Sequence, residues 1–161
     1  MENAGAAVVA VCISEVKGVI KTPVEEIFVK IDHGVVSDAH AGDWHRQVSL
    51  LADESVDKLR DKIPDLAAGV FAENILTRGL CLYEQPVGTK LRVGGALLEI
   101  TQIGKECHSA CAIRQQTGDC VMPREGVFAK VLEEGSIKPG DTVSVESREC
   151  RVDSWDGWMR G

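Results

Sequence analysis

Two stretches of the sequence concentrate side chains that could do chemistry. In DAHAGDWHRQVSLL, Asp38, His40, Asp43, His45 and Arg46 fall within nine residues, on what must be a loop leading into a strand. Imidazole and carboxylate at the spacing DxHxxxxH suit zinc or iron. The same residues suit an anion pocket, with Arg46 offering its planar fork and the histidines their ring N–H groups. A solvated loop whose histidines cap backbone carbonyls is the third reading. The residues alone leave all three open.

The second stretch is GKECHSACAIRQQTGDC. Cys107 and Cys111 stand four apart with His108 beside the first, Cys120 follows nine later, and Lys105 and Arg114 flank them. Such basic neighbours lower a thiol pKa toward reactivity. Zinc ribbons want two separated CxxC pairs, which this chain lacks, although Cys107, His108, Cys111 and Cys120 could still hold a zinc ion. The spacing does not suit an iron–sulfur cluster. What remains is a reactive thiolate, a soft ligand for a cofactor metal, or inert packing. Cys12 and Cys81 sit in strand-like apolar runs and read as buried thiols packed as small hydrophobes.

The elements that must position these groups read mainly as strands. AAVVAVCISEV and PVEEIFVKI are each expected to form one strand, QVSLL a buried strand, and DTVSVES the last. VGTKLRVGGALLEITQIG predicts a hairpin turning at Gly94-Gly95. Helices are expected over ESVDKLRDKI, capped by Asp53, paired Glu54 to Lys58 and stopped at Pro64, and over 126–133. No strand–helix–strand alternation of the parallel-sheet type is apparent, and neither GxGxxG nor a P-loop occurs. With so many strand edges to hide, the expected fold is mainly β, a closed or nearly closed β-barrel with a few short helices. One domain over 1–148 with a tail over 149–161, bearing Trp155 and Trp158, accounts for the length of 161 residues.

Composition narrows the function classes. With 44% hydrophobic and 27% charged residues, the chain is ordinary globular material rather than disordered. A net charge of −7 argues against nucleic acid, and 4% aromatics argues against a base-stacking platform. No apolar stretch is long enough to cross a bilayer, and the start lacks the basic flank of a signal peptide, so a cytoplasmic protein with no membrane contact is expected. An acidic protein can still hold a small anionic ligand in a local Arg/His pocket.

Taken in order, GVVSDAHAGDWHRQVSLL, VFAENILTRGL, VGTKLRVGGALLEITQIGKECHSACAIRQQTG and REGVFAKVLEEGSIKPGD resemble the MOSC family, named for the C-terminal domain of molybdenum cofactor sulfurases. The likeness spans about residues 8–147 and is to the stand-alone bacterial type. It implies a strand-rich barrel, and a role in sulfur transfer or in binding the molybdenum cofactor (molybdopterin). In cofactor-holding relatives one cysteine coordinates molybdenum, and CAIRQQTG places that cysteine at Cys111. The segment after it is shorter than in sulfurases, which keeps Cys107 in contention, and Ser37 stands where the family's GDxH element has Gly. His40, His45, Arg46, Lys105 and Arg114 are then expected around the anionic cofactor, with Cys111 or Cys107 as the working thiol. A cysteine desulfurase-like sulfur donor or a molybdenum-cofactor enzyme is the implied partner, and pyridoxal phosphate is expected only on such a partner. A non-catalytic delivery module, or a small reductase of N-hydroxylated substrates served by an electron-donating partner, are the other readings. All of them require the two stretches to converge on one rim, with His40 or His45 within roughly 10 Å of Cys111.

Overall fold

QVSLL forms a strand because both of its faces are covered. In the computed structural model, which describes residues 6–15, 21–39, 41–60, 63–64, 66–69, 71, 73–104 and 125–147, it is β5 (Val48–Ala52), buried at every position. Val48 and Leu50 enter the main core, while Leu51 faces a smaller cluster with Val56, Leu59, Leu66, Phe71, Leu76 and Phe128. Two buried faces erase the alternation that marks a half-exposed strand. His40, Lys105, Cys107, His108, Cys111, Arg114, Cys120, Cys150 and the tail over 149–161 lie outside the described residues.

The remaining elements are β1 (Ala7–Ile13), β2 (Thr22–Val24), β3 (Ile27–Lys30), β4 (Gly34–Val35), α1 (Asp53–Asp57), β6 (Ile75–Arg78), a 3₁₀ turn (Leu82–Glu84), β7 (Lys90–Val93), β8 (Ala96–Ile103), β9 (Val127–Glu133), β10 (Gly135–Ile137) and β11 (Val143–Ser147). Eight strands form one sheet in the order β11-β7-β8-β9-β5-β6-β1-β2, and β10-β3-β4 form a second. The protein is mainly β, as expected. Among the described residues a closed barrel is not found: the sheets are open and mixed. The first half of β1 does approach the start of β11, through the isolated Ala7–Thr142 bridge and a 2.8 Å bond from the Val8 N–H to the Asp141 carbonyl.

Four local expectations are corrected. The segment 126–133 is not a helix, because β9 is hydrogen-bonded between β8 and β5. Its Val127, Ala129 and Val131 face the main core and Phe128 the smaller cluster, so apolar residues on two strand faces mimicked a helical stripe. PVEEIFVKI is two strands in different sheets, β2 against β1 and β3 against β10 and β4. A parallel connection does exist, since β5 and β6 pair in parallel across α1. The expected helix contracts to Asp53–Asp57, its cap position is Ala52, and Asp53 caps nothing.

Asp53 instead gathers two arginines, at 2.8 Å from Arg60 and 2.5 Å from Arg78. Burial pushes its carboxyl up, but the hydrogen bonds and charges of Arg60 and Arg78 outweigh burial and hold it below the usual carboxylate range. A depressed folded-state pKa gives stability that is present above the unfolded value, about 3.9, and is lost as pH falls through the folded one. Wild type is therefore expected to exceed Asp53→Asn in urea midpoint at neutral pH, with the gap closing as pH falls below 4. A gap independent of pH would show that the pairing is not what Asp53 contributes.

The hairpin β7–β8 turns at Gly94-Gly95 as expected, pairing Val93 with Ala96. Gly94 has φ +56, and an added Cβ would lie 2.4 Å from an Asp141 carboxylate oxygen. Within VFAENILTRGL the polar residues are structural. Glu73 accepts from the Gly69 and Phe71 N–H groups, and Asn74 ties β1, β5 and β6 through the Cys12 carbonyl and the Ser49 N–H and hydroxyl.

Candidate functional site: an arginine loop at the end of β8

The His-rich loop runs from β4 to β5 and is fastened near both ends. At its start, Asp38 is buried, with its carboxylate 2.8 Å from Lys21 Nζ and accepting from the Ser14 N–H at 3.0 Å. Both side chains of the pair are fully shielded from solvent. A carboxylate used in this way is not offered to a metal beside the histidines, which removes one donor from the DxHxxxxH reading. Among the described residues, no three His, Cys, Asp or Glu side chains are grouped to hold an ion.

At the far end Gln47 is buried, and its Oε1 accepts from the Val131 N–H at 3.0 Å. That contact carries the loop onto the outer side of β8 and β9. The Thr101 hydroxyl donates to the His45 carbonyl, and His45 Nε2 lies 2.8 Å from Gln102 Oε1. Trp44 meets the His45 ring edge-on, with centroids 5.9 Å apart. Gln102 Nε2 in turn donates to the Gly104 carbonyl at 2.8 Å, and the Gly104 N–H donates to Gly126 at 2.7 Å. The chain therefore leaves β8 and returns to β9 at one point, and the cysteine-bearing stretch between residues 104 and 126 is rooted beside His45.

Arg46 is the electrostatic centre of the loop. Its guanidinium carbon sits 4.6 Å from the Trp44 ring centroid and 5.6 Å from that of Phe128, two aromatic faces that fix its plane. Its Nε is buried without a hydrogen-bond partner, and no carboxylate pairs with it among the described residues. Lys58, Arg60, Arg78 and Arg92, by contrast, each reach an acid. An arginine held in place with no acid partner among the described residues, in a protein of net charge −7, is chemically able to receive an oxyanion.

Against the reading of a solvated loop whose histidines cap backbone carbonyls, His45 meets a side-chain amide and the loop is fastened to β8 and β9. Sequence reasoning found His45 and Arg46 but missed Thr101, Gln102 and Phe128, which position them. The signal for Phe128 was hidden when 126–133 was read as a helix. Of the two thiols expected in strands, Cys12 is in β1, and burial, then Glu73, pushes it up to about 12 against the opposing Lys21 charge. Cys81 is not in a strand. It precedes the 3₁₀ turn and lines a cleft of about 320 Å³ with Ser55, Lys58, Leu80 and Tyr83. Burial also raises the Cys81 thiol.

The model of the MOSC domain matches residues 37–144, which takes in the loop, both strands that hold it and the cysteine stretch. The chain belongs to the MOSC domain family. Three solved structures share the fold of this MOSC protein. The YuaD protein from Bacillus subtilis is 16% identical, with a TM-score of 0.73 over 89% of this chain and 97% of that one. YiiM from Geobacillus stearothermophilus is 20% identical, with a TM-score of 0.65 over 88% and 75%. YiiM from Escherichia coli is 18% identical, with a TM-score of 0.62 over 91% and 72%. No curated protein matches the MOSC chain in sequence. No helix among the described residues is long and apolar enough to cross a membrane.

Proposed function

We propose that this MOSC protein holds the anionic molybdenum cofactor, with Arg46 binding its oxyanion end and the Cys111 thiolate as the soft metal ligand. The observation that carries the reading is the Arg46 guanidinium, without an acid partner among the described residues and held by Trp44 and Phe128 beside the root of the cysteine stretch. A buried, partnerless donor on a fixed guanidinium fits a phosphate or oxo group. When bound, the cofactor supplies a redox-active metal. The chain supplies the rest: Arg46 binds and orients the anion, and Lys105, Arg114 and His40 are the further groups that the reading assigns to it. Cys107 is the second candidate thiol.

The same thiolate chemistry supports sulfur carriage, in which a persulfide is accepted from a cysteine desulfurase-like donor or passed to a molybdenum-cofactor enzyme. A cytoplasmic setting, where thiols stay reduced, suits either role.

Arg46→Ala is expected to weaken binding of inorganic phosphate or molybdate by roughly tenfold, the worth of a hydrogen bond to a charged group. Titration calorimetry of the wild type and the variant checks it. Unchanged affinity in the variant would move the anion site away from this loop.

A further inference from the structure

We propose that Gln102 is a positioning residue that fixes His45 as its Nε2–H tautomer, so that Nδ1 is the atom His45 offers to a ligand. The Gly104 carbonyl can only accept, so the Gln102 amide group 2.8 Å away must turn its NH₂ toward it. That leaves Gln102 Oε1 facing His45 Nε2 at 2.8 Å, and an amide oxygen can only accept. The proton therefore sits on Nε2. A neutral imidazole carries one N–H, so Nδ1 holds a lone pair.

The consequence corrects the expectation that both His45 and Arg46 donate to one anion. In this tautomer His45 Nδ1 accepts a hydrogen bond, while Arg46 donates. Resting on the anion reading of the loop, the pair fits a ligand that carries an oxyanion for Arg46 beside an N–H or O–H group for His45. It does not fit a bare oxyanion equally well. Because Gln102 lies two residues before the cysteine stretch and is fastened to Gly104, the tautomer is set by the strand that delivers the thiols.

Two measurements test this on the full chain. Long-range proton–nitrogen correlation of the imidazole nitrogens, at about pH 8.5 where free histidine is neutral, is expected to show His45 wholly as Nε2–H. Gln102→Leu should convert that signal to an average of both tautomers, and Gln102→Glu, which still accepts from Nε2–H, should retain it. An Nδ1–H tautomer in the wild type, or an unchanged spectrum in Gln102→Leu, overturns the proposal. At the same pH phosphate carries an O–H and sulfate does not. Phosphate is expected to bind roughly three- to tenfold more tightly than sulfate, the worth of one hydrogen bond, with the preference lost in Gln102→Leu. Equal, Arg46-dependent binding of the two ions overturns it. If neither ion binds, the anion reading fails, and the nitrogen spectra, which need no ligand, still decide the tautomer.

Discussion

Lys21→Met is expected to cost about 3–5 kcal/mol of folding stability, the penalty for removing one partner of a buried ion pair. The Lys21 and Asp38 side chains are fully shielded, 2.8 Å apart. Without the ammonium, the Asp38 carboxylate stays inside, and so does Glu73, whose carboxyl burial already pushes up and which Lys21 helps hold down. The pair fastens the end of β1 and the start of β2 to the turn that opens the arginine loop. Met keeps the length and apolar stem of Lys. The double variant K21M/D38N removes both charges while an amide oxygen remains for the Ser14 N–H, and is expected to recover most of the loss. Urea denaturation of the three proteins checks this. A single variant as stable as wild type would show that the pair has no net role in holding the loop.

Gly34→Ala is expected to cost about 3 kcal/mol, from backbone strain plus a clash. Gly34 has φ +105, and an added Cβ would lie 2.5 Å from the Gln47 carbonyl and 2.9 Å from its Cβ. Gln47 is bonded to Val131 and directly follows Arg46, so relief of the clash displaces the residue that seats the guanidinium. Gly140 supplies the control. Its φ is +94 with nothing within 4 Å of an added Cβ, so Gly140→Ala should carry only the strain of a left-handed alanine, about 1–2 kcal/mol. Thermal melts and phosphate titration of both variants separate the effects, since only Gly34→Ala should weaken phosphate binding. Equal losses in the two would mean that the Gln47 contact is not tight.

Where a strand has one face to solvent, or a turn requires particular residues, the sequence was readable. The β7–β8 hairpin shows it, because Gly94-Gly95 fixes the turn and Leu91 and Val93 alternate with half-exposed Lys90 and Arg92. DTVSVES is likewise legible as the last strand, and its β11 pairs with β7. Legibility failed where a second cluster covers the outer face. β9 loses its alternation because Phe128 is buried under α1's side of the sheet. β6 went unassigned for the same reason, with Ile75 in one cluster and Leu76 in the other. Missing β6 hid the parallel pairing with β5, and with it the open, mixed character of the sheet.

The site was half legible for a related reason. Residue type alone marks Arg46 and His45 as chemically able. What singles out Arg46 is the lack of an acid partner among the described residues, which depends on where the other charges go. Asp38 and Asp53 stood in the sequence as a candidate ligand and a helix cap, yet each is taken up by basic side chains from elsewhere in the chain. Long-range pairings of this kind leave no local pattern. The same holds for Gln102, an unremarkable strand residue whose two amide bonds set the chemistry of His45.

The most direct measurement of the proposed function is the molybdenum and pterin content of the full chain purified from a cell that makes the cofactor. Wild type is expected to carry both in near-equal amounts. Cys111→Ser is expected to lose the metal, with Cys107→Ser retaining it, and Arg46→Ala to lower metal and pterin together. Wild type free of both molybdenum and pterin, or a Cys111→Ser protein loaded as fully as wild type, would contradict the account.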